Sequence, residues 1–337
     1  MGVPVASTVV IESKQGIGDV VWHLPYIRAI AAVSPGGKVI FLARPSTHAQ
    51  ELLEAEPCVE RTLYFESHGS ELRRVVHQIR LIALLRRLKC DTAWFLDRTT
   101  RPAIASLLAG IPNRIGVGLG AQRWFITNAG IDRTLYGEER WAFVYLNALM
   151  QAMKAPYAGP EPDLQVPGHA AATIECLYGT RPRPWIVLGL GASKPSKDWS
   201  DPQWTEFLAG LGSGAAGTGF LIGGAAQAAR ANRLIASTER ESAINACDLE
   251  LMEAAALIRA ADLYVGPDSG PMNIAAAVRT PAFGLFGTSK VLTYSDYIHP
   301  VEPDDGGGAT PDGMDRISAA AVLARVEPYL ATTKTGA

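Results

Sequence analysis

Residues 265–289, VGPDSGPMNIAAAVRTPAFGLFGTS, hold a complete turn, helix and strand in 25 residues. Tyr264 and Val265 end a short apolar run, which Gly266 and Pro267 break. Asp268 or Ser269 then stands where a helix N-cap belongs, and Gly270 and Pro271 open a helix that takes in Met272, Asn273 and the residues to Val278. A second apolar run, 282–286, closes on Gly287, Thr288 and Ser289. Strand, tight turn, helix and strand make one βαβ unit. Its turn belongs at the carboxyl end of a parallel strand, where the first N–H groups of a helix and its dipole favour an anion. The competing reading is a well-capped helix start that binds nothing.

Working back from this unit, the same rhythm recurs. Residues 185–189 (WIVLG) predict a buried strand, followed by 190–199, LGASKPSKDW. Small residues, hydroxyls and two lysines directly after a strand suit a phosphate loop, with Ser193, Lys194 and Lys197 its polar members. Residues 219–222 predict a strand ending in Gly223-Gly224, and helices are expected over 227–238, 249–260 and 317–330. The loop 304–308 (DDGGG) is expected to be flexible.

The first half opens on 7–12 (STVVIE), a β-branched run typical of a buried parallel strand. It leads into KQGIGD at 14–19 and a helix over 20–33. The two glycines, Gly16 and Gly18, admit close approach by another backbone. Asp19 is either a helix cap or a carboxylate presented at the carboxyl end of the first strand. This is not a dinucleotide-binding turn, because Val21 stands where its third glycine is required. That absence ranks an oxidoreductase low. Further strands are expected at 38–43, 61–65, 92–96 and 114–117, with helices at 46–54, 102–109 and 140–153. Arg98 and Arg101, just past the strand at 92–96, are placed to grip an acceptor's phosphate or carboxylate, or to pair with Asp97 and Glu66.

Residues 71–89, ELRRVVHQIRLIALLRRLK, have the spacing of an amphipathic helix. Its expected buried stripe takes in Leu72, Val75, Val76, Ile79 and Ile82 and continues through Leu85 and Leu88, while five arginines and Lys89 make the remainder basic. That basic face is either simply solvated or a surface for anionic lipid head groups.

With 337 residues the chain exceeds one comfortable core and suits two α/β domains. At 48% hydrophobic and 19% charged residues it is expected to be globular. The four cysteines are widely spaced, with no pair or histidine at zinc spacing, so they are expected to be reduced and no metal site is expected. No signal peptide or membrane-spanning run is evident, which predicts a cytoplasmic protein. A net charge of −2 gives no argument for nucleic acid, and none is expected as a partner. Residues 1–165 carry 18 Lys and Arg against 15 Asp and Glu, and the rest 13 against 18, so the first half better suits an acidic partner. The proline- and glycine-rich segment 155–168 (APYAGPEPDLQVPG) marks a linker. The expected organisation is an N-terminal domain at 1–165, a C-terminal domain at 166–315, a helix at 316–330 and a disordered tail at 331–337.

Three segments in this order, GIGDVVWHLPYIRAI, GLGASKPSKDWSDPQWTEF and DSGPMNIAAAVRTPAFGLFGTS, resemble glycosyltransferase family 9, the heptosyltransferases of bacterial lipopolysaccharide assembly. A fourth, FLDRTTRPAIASLLAGIPNRIGV, supports the match. The resemblance spans nearly the whole chain and implies an α/β GT-B fold of two Rossmann-like domains facing each other across a cleft, acceptor on the first and nucleotide-sugar on the second. It implies inverting, metal-independent transfer with no cofactor beyond the nucleotide-sugar substrate, ADP-heptose as the donor, and a glycan or glycolipid acceptor; the basic helix adds peripheral contact with the inner membrane surface as an expectation. By the resemblance Asp19 is the general base; Gly18, Arg98 and Arg101 are the acceptor-binding candidates by their place at the strand ends. Lys197 neutralises the departing diphosphate, with Ser193 and Lys194 nearby. Asp268, Ser269 and Gly270 match the family's donor turn, and Pro271 and Met272 follow as further donor-binding candidates.

The chain departs from the family pattern in two places. Asn273 stands where a histidine is usual, and the glutamate expected after the G-G turn is missing from GGAAQAAR, leaving Gln227 as the nearest polar residue. Two alternatives therefore stay open: another nucleotide-sugar donor or a protein or small-molecule acceptor, and a non-catalytic nucleotide-sugar-binding relative.

Overall fold

A computed structural model of the chain describes residues 7–131, 142–192, 194–214, 217–238, 242–292 and 295–333. The chain divides into two compact units, Met1–Pro162 and Asp163–Ala337. In the first, β1 (Thr8–Ile11), β2 (Val39–Ala43), β3 (Val59–Tyr64), β4 (Thr92–Phe95) and β5 (Asn113–Ile115) form a parallel sheet in the order β3-β2-β1-β4-β5. Its helices are α1 (Ile17–Ala32), α2 (Ala49–Leu52), α3 (Glu71–Leu88), α4 (Thr100–Ala109) and α5 (Ala142–Ala152). The β-branched residues of β1 and β2 are buried on both faces, as in a sheet covered by helices on each side.

The second unit carries α6 (Gly168–Tyr178), α7 (Asp201–Gly214), α8 (Ala228–Ser237), α9 (Leu251–Ala260), α10 (Gly270–Ala277) and α11 (Ala319–Thr333). Its strands are β6 (Trp185–Gly189), β7 (Thr218–Ile222), β8 (Ala243–Asn245), β9 (Leu263–Pro267), β10 (Ala282–Leu285) and β11 (Ile298–Val301), parallel in the order β11-β10-β9-β6-β7-β8. Strand order reverses at β1 in one sheet and at β6 in the other, so the loops after these strands emerge at switch points, where α/β folds bind ligands.

Four local expectations differ from the fold. The helix expected over 46–54 is broken, because His48 is left-handed (φ 52°) and separates the 3-10 turn Pro45–Thr47 from α2. Helix α6 lies in a stretch to which no element was assigned. The edge strands β8 and β11, of three and four residues, are too short for a period to show. The largest difference is in α3. Leu72, Val75, Val76 and Ile79, expected inside, are 75%, 56%, 38% and 60% exposed. Leu85 and Leu88, expected in the same stripe, are buried, but with Leu81, which was not in it, on the opposite side of the helix. A 3.6-residue period locates apolar stripes but not which stripe meets the sheet, and α3 has two.

Candidate functional site

The turn after β1 carries Asp19 as the third residue of α1. Gly16 is the N-cap, and its N–H donates to Asp19 Oδ2 at 3.1 Å. Lys14 Nζ lies 3.3 Å from Asp19 Oδ1, and the Asp19 side chain stays about one-third exposed. Gly18 is the second residue of α1 and part-exposed. Beneath the turn, Glu12 and His23 are both buried and in contact through Oε2 and Nδ1. The other Glu12 oxygen accepts the Lys14 N–H at 2.8 Å, so this buried pair braces the turn that presents Asp19.

Beside this turn the carboxyl ends of β1 to β4 enclose a cavity of about 450 Å³. Arg44, Arg74 and Arg101 line it with His68 and His77, and Glu66 is its one acid. Arg44, directly after β2, bonds Ser67 Oγ and His68 Nε2, while its buried Nε has no partner among the described residues. Burial lowers the Arg44 pKa from its ordinary value, opposed by the carboxylates of Glu66, Asp97 and Glu12. Arg101 is thus brought to a cationic cavity, whereas Arg98 is exposed and does not line it. Asp97 pairs with neither: its carboxylate accepts the N–H groups of Ser13 (2.7 Å) and Thr99 (2.6 Å), tying two strand-end loops together. A charged residue closing the apolar run KVIFLA was the signal that could have found Arg44; Arg74, His68 and His77 join it only through the fold.

In the second unit, Lys197 ends a 3-10 turn after β6, and its Nζ lies 2.5 Å from Asp268 Oδ2, between segments far apart in sequence. Each neighbour of Lys197 in K-D-W anchors the loop. Asp198 accepts the Gly191 N–H (3.2 Å) and Arg230 Nη1 (2.5 Å). Trp199 is fully buried against Trp204 and Phe207 and donates to the Ile317 carbonyl at 3.0 Å. Arg230, from α8, also bonds Asp201 and the Trp199 carbonyl, each at 2.6 Å. No local pattern in the sequence marks Arg230.

Asp268 follows β9, and Ser269 is the N-cap of α10. The expected side-chain cap is absent, so neither residue's side chain occupies the first N–H groups of α10. Asp268 holds Lys197 instead. An uncapped helix N-terminus beside a lysine is an anion-attracting arrangement. Tyr264, fully buried with the Ser269 hydroxyl beside it, has its phenol pushed up by burial. A Cβ at Gly266 or Gly189 would run into that phenol, so both glycines make room for it. Gly270 and Pro271 are part-exposed at the helix start. The Met272 side chain is wholly buried in the space left by Gly284, so only its backbone is available to a ligand. Asn273 is nearly buried, with Nδ2 donating to the Ser269 carbonyl at 2.8 Å. Gln227 packs over Gly191 and Gly223, beside the loop of Lys197, and Lys194 is exposed on that loop. Ser193 lies outside the described residues. Among the described residues no group of three His, Cys, Asp or Glu could hold a metal ion.

The sequence profile of glycosyltransferase family 9 (heptosyltransferase) matches residues 79–302, which takes in β4, β5, the whole second sheet and the Lys197–Asp268 site. The chain belongs to this family. It is a glycosyltransferase. Lipopolysaccharide heptosyltransferase 2 of Salmonella typhimurium is 27% identical over 297 residues, covering 81% of each chain, and the Escherichia coli protein of that name is equally similar. Among solved structures, E. coli ADP-heptose lipopolysaccharide heptosyltransferase II superposes with a TM-score of 0.74 at 23% identity, covering 97% of this chain and 99% of that one. A family 9 glycosyltransferase from Veillonella parvula gives 0.77 at 18% identity, over 96% and 97%. The fold is therefore of the GT-B class. No helix among the described residues is long and apolar enough to cross a membrane.

Proposed function

We propose that this glycosyltransferase moves a heptose, or a related sugar, from a nucleoside diphosphate, with ADP-heptose the first candidate, to a lipopolysaccharide-core or other bacterial glycan acceptor. The observation that carries the reading is the Lys197–Asp268 pair at the uncapped start of α10. As the bond from the anomeric carbon to the diphosphate breaks, negative charge grows on the leaving oxygens. A lysine and helix N–H groups aimed at that charge stabilise the transition state, and Lys197 exchanges Asp268 for the diphosphate. Asp19 takes the acceptor hydroxyl's proton as its oxygen attacks the anomeric carbon from the opposite face, which inverts the configuration. No metal or cofactor enters this scheme. The cationic cavity around Arg44, Arg74 and Arg101 suits an anionic group of the acceptor, met at the inner membrane face of the cytoplasm. Relatives support the donor: a related E. coli heptosyltransferase has been solved with ADP-2-deoxy-2-fluoro heptose.

Asn273, in place of the usual histidine, favours a second reading with the same chemistry and another nucleotide-sugar. Both are tested by ADP release from ADP-heptose with a lipopolysaccharide-core acceptor and by the anomeric configuration of the product. Asp19→Asn should lower kcat by about 10²- to 10⁴-fold while ADP still binds, as expected for loss of a general base. Lys197→Ala should weaken ADP binding as well as turnover. A retained configuration, or an Asp19→Asn enzyme of wild-type rate, overturns the mechanism; turnover with a different nucleotide-sugar alone moves the case to the second reading.

A further inference from the structure

Helix α3 has two apolar sides, and only one is used by the fold. Leu81, Leu85 and Leu88 pack into the core of the first unit. Leu72, Val75, Val76 and Ile79 form a second stripe, at the spacing of one helix face, that is open to solvent. Leu107 and Leu108, 42% and 52% exposed at the end of the neighbouring α4, lie beside the carboxyl-terminal turns of α3, where Arg86 bonds the Leu108 carbonyl at 2.8 Å. Helix α3 and its C-cap carry Arg73, Arg74, Arg80, Arg86, Arg87 and Lys89 against the single acid Glu71. Among the described residues none of these six cations forms an ion pair.

We propose that this outward face of α3 seats the protein on an anionic bilayer surface. Apolar side chains along one line, flanked by arginines, match an interfacial helix, whose apolar face enters the head-group boundary while the cations stay with the phosphates. No described helix can span a membrane, so the contact is with the surface. A second copy of the chain fits this face poorly, because a twofold contact through α3 would oppose two sets of arginines. The other side of the helix gives the seat a use: Arg74, His77, Gln78 and Leu81 line the cationic cavity at the strand ends. One helix thus separates a bilayer from a cavity suited to the anionic head of a molecule held in that bilayer. The proposal specifies the surface behind the membrane placement proposed above and does not depend on which sugar is transferred.

The test is co-sedimentation of the full chain with phosphatidylcholine vesicles, with and without about 30% phosphatidylglycerol. Wild type should pellet with the anionic vesicles and be released by high salt. Val75→Gln with Ile79→Gln, a change to good helix formers at exposed sites, should keep the melting temperature and lose vesicle affinity by about tenfold or more. Arg73→Gln with Arg87→Gln should lose the preference for anionic over neutral vesicles. ADP release with a soluble acceptor fragment should stay at the wild-type rate in Val75→Gln/Ile79→Gln, which separates failure of the seat from failure of the transferase reading. Equal pelleting of wild type and Val75→Gln/Ile79→Gln overturns the proposal. So does wild type that stays in solution with all vesicles, or that is a dimer which the same substitutions turn into a monomer.

Discussion

At Asp19 the capping and the chemical readings fall on different oxygens. Oδ2 takes the Gly16 N–H and closes the first turn of α1, while Oδ1 faces the Lys14 ammonium with part of the side chain in solvent. The cap holds the carboxylate in place and leaves Oδ1 for the proposed role as base. The cysteines divide just as plainly. Burial, reinforced by the Glu56 carboxylate, pushes the Cys58 thiol up to about 12, and burial pushes Cys90 and Cys247 up to about 11. Thiolate is the reactive form, so these three stay protonated and inert at neutral pH, while Cys176 is exposed. A disulfide-exchange reagent at pH 8 should therefore label one thiol rapidly in the native protein and all four after denaturation. Rapid native labelling of three or four would contradict the burial. The sign is fixed by the upward shift: raising pH toward 11 increases the reactivity of Cys58, Cys90 and Cys247.

At the scale of elements, the loop after β6 depends on Arg230. Its guanidinium binds Asp198, Asp201 and the Trp199 carbonyl, and so sets where Lys197 leaves the chain. Arg230→Ala strands a part-buried Asp198 carboxylate and should cost about 2 kcal/mol in urea unfolding, a figure already reduced because Asp201 is half exposed. It should also weaken ADP binding more than Arg98→Ala does. Unchanged stability and ADP affinity would mean that Trp199 alone holds the loop. Helix α10 is set differently: its start is left uncapped because Asp268 turns to Lys197, and Met272 anchors it under Gly284. Local stability is given up at the turn proposed to hold the donor.

For the whole molecule, the proposal puts a phosphorylated ligand at the switch-point loops of the second sheet and an anionic one at those of the first. A nucleotide that binds only the folded chain should raise its melting temperature, by about 2.7 kcal/mol of added stability at a hundredfold excess over Kd. For a unit of this size that corresponds to about 5–10 °C. ADP should give the largest shift among ADP, UDP, GDP and CMP, measured by thermal shift. A larger response to UDP or GDP would transfer the donor reading to that nucleotide, and Lys197→Ala should reduce whichever shift is seen.

Much of this was legible in the chain itself. β-branched runs punctuated by glycine and proline announce buried parallel strands, because a strand covered on both faces has no polar side to show. The motifs of Asp19, Lys197 and Asp268 could be read for the same local reason: strand, turn and helix start lie within a few residues of one another. What the tertiary structure decided is everything that depends on which surfaces meet. Arg44, Arg74 and Arg101 share a cavity only because β2, α3 and α4 converge at one end of the sheet. Arg230 reaches the K-D-W loop across 31 residues from Trp199. Of the two apolar stripes on α3, packing chose Leu81, Leu85 and Leu88, since a helix period records that a face is apolar but carries no information about the partner that covers it.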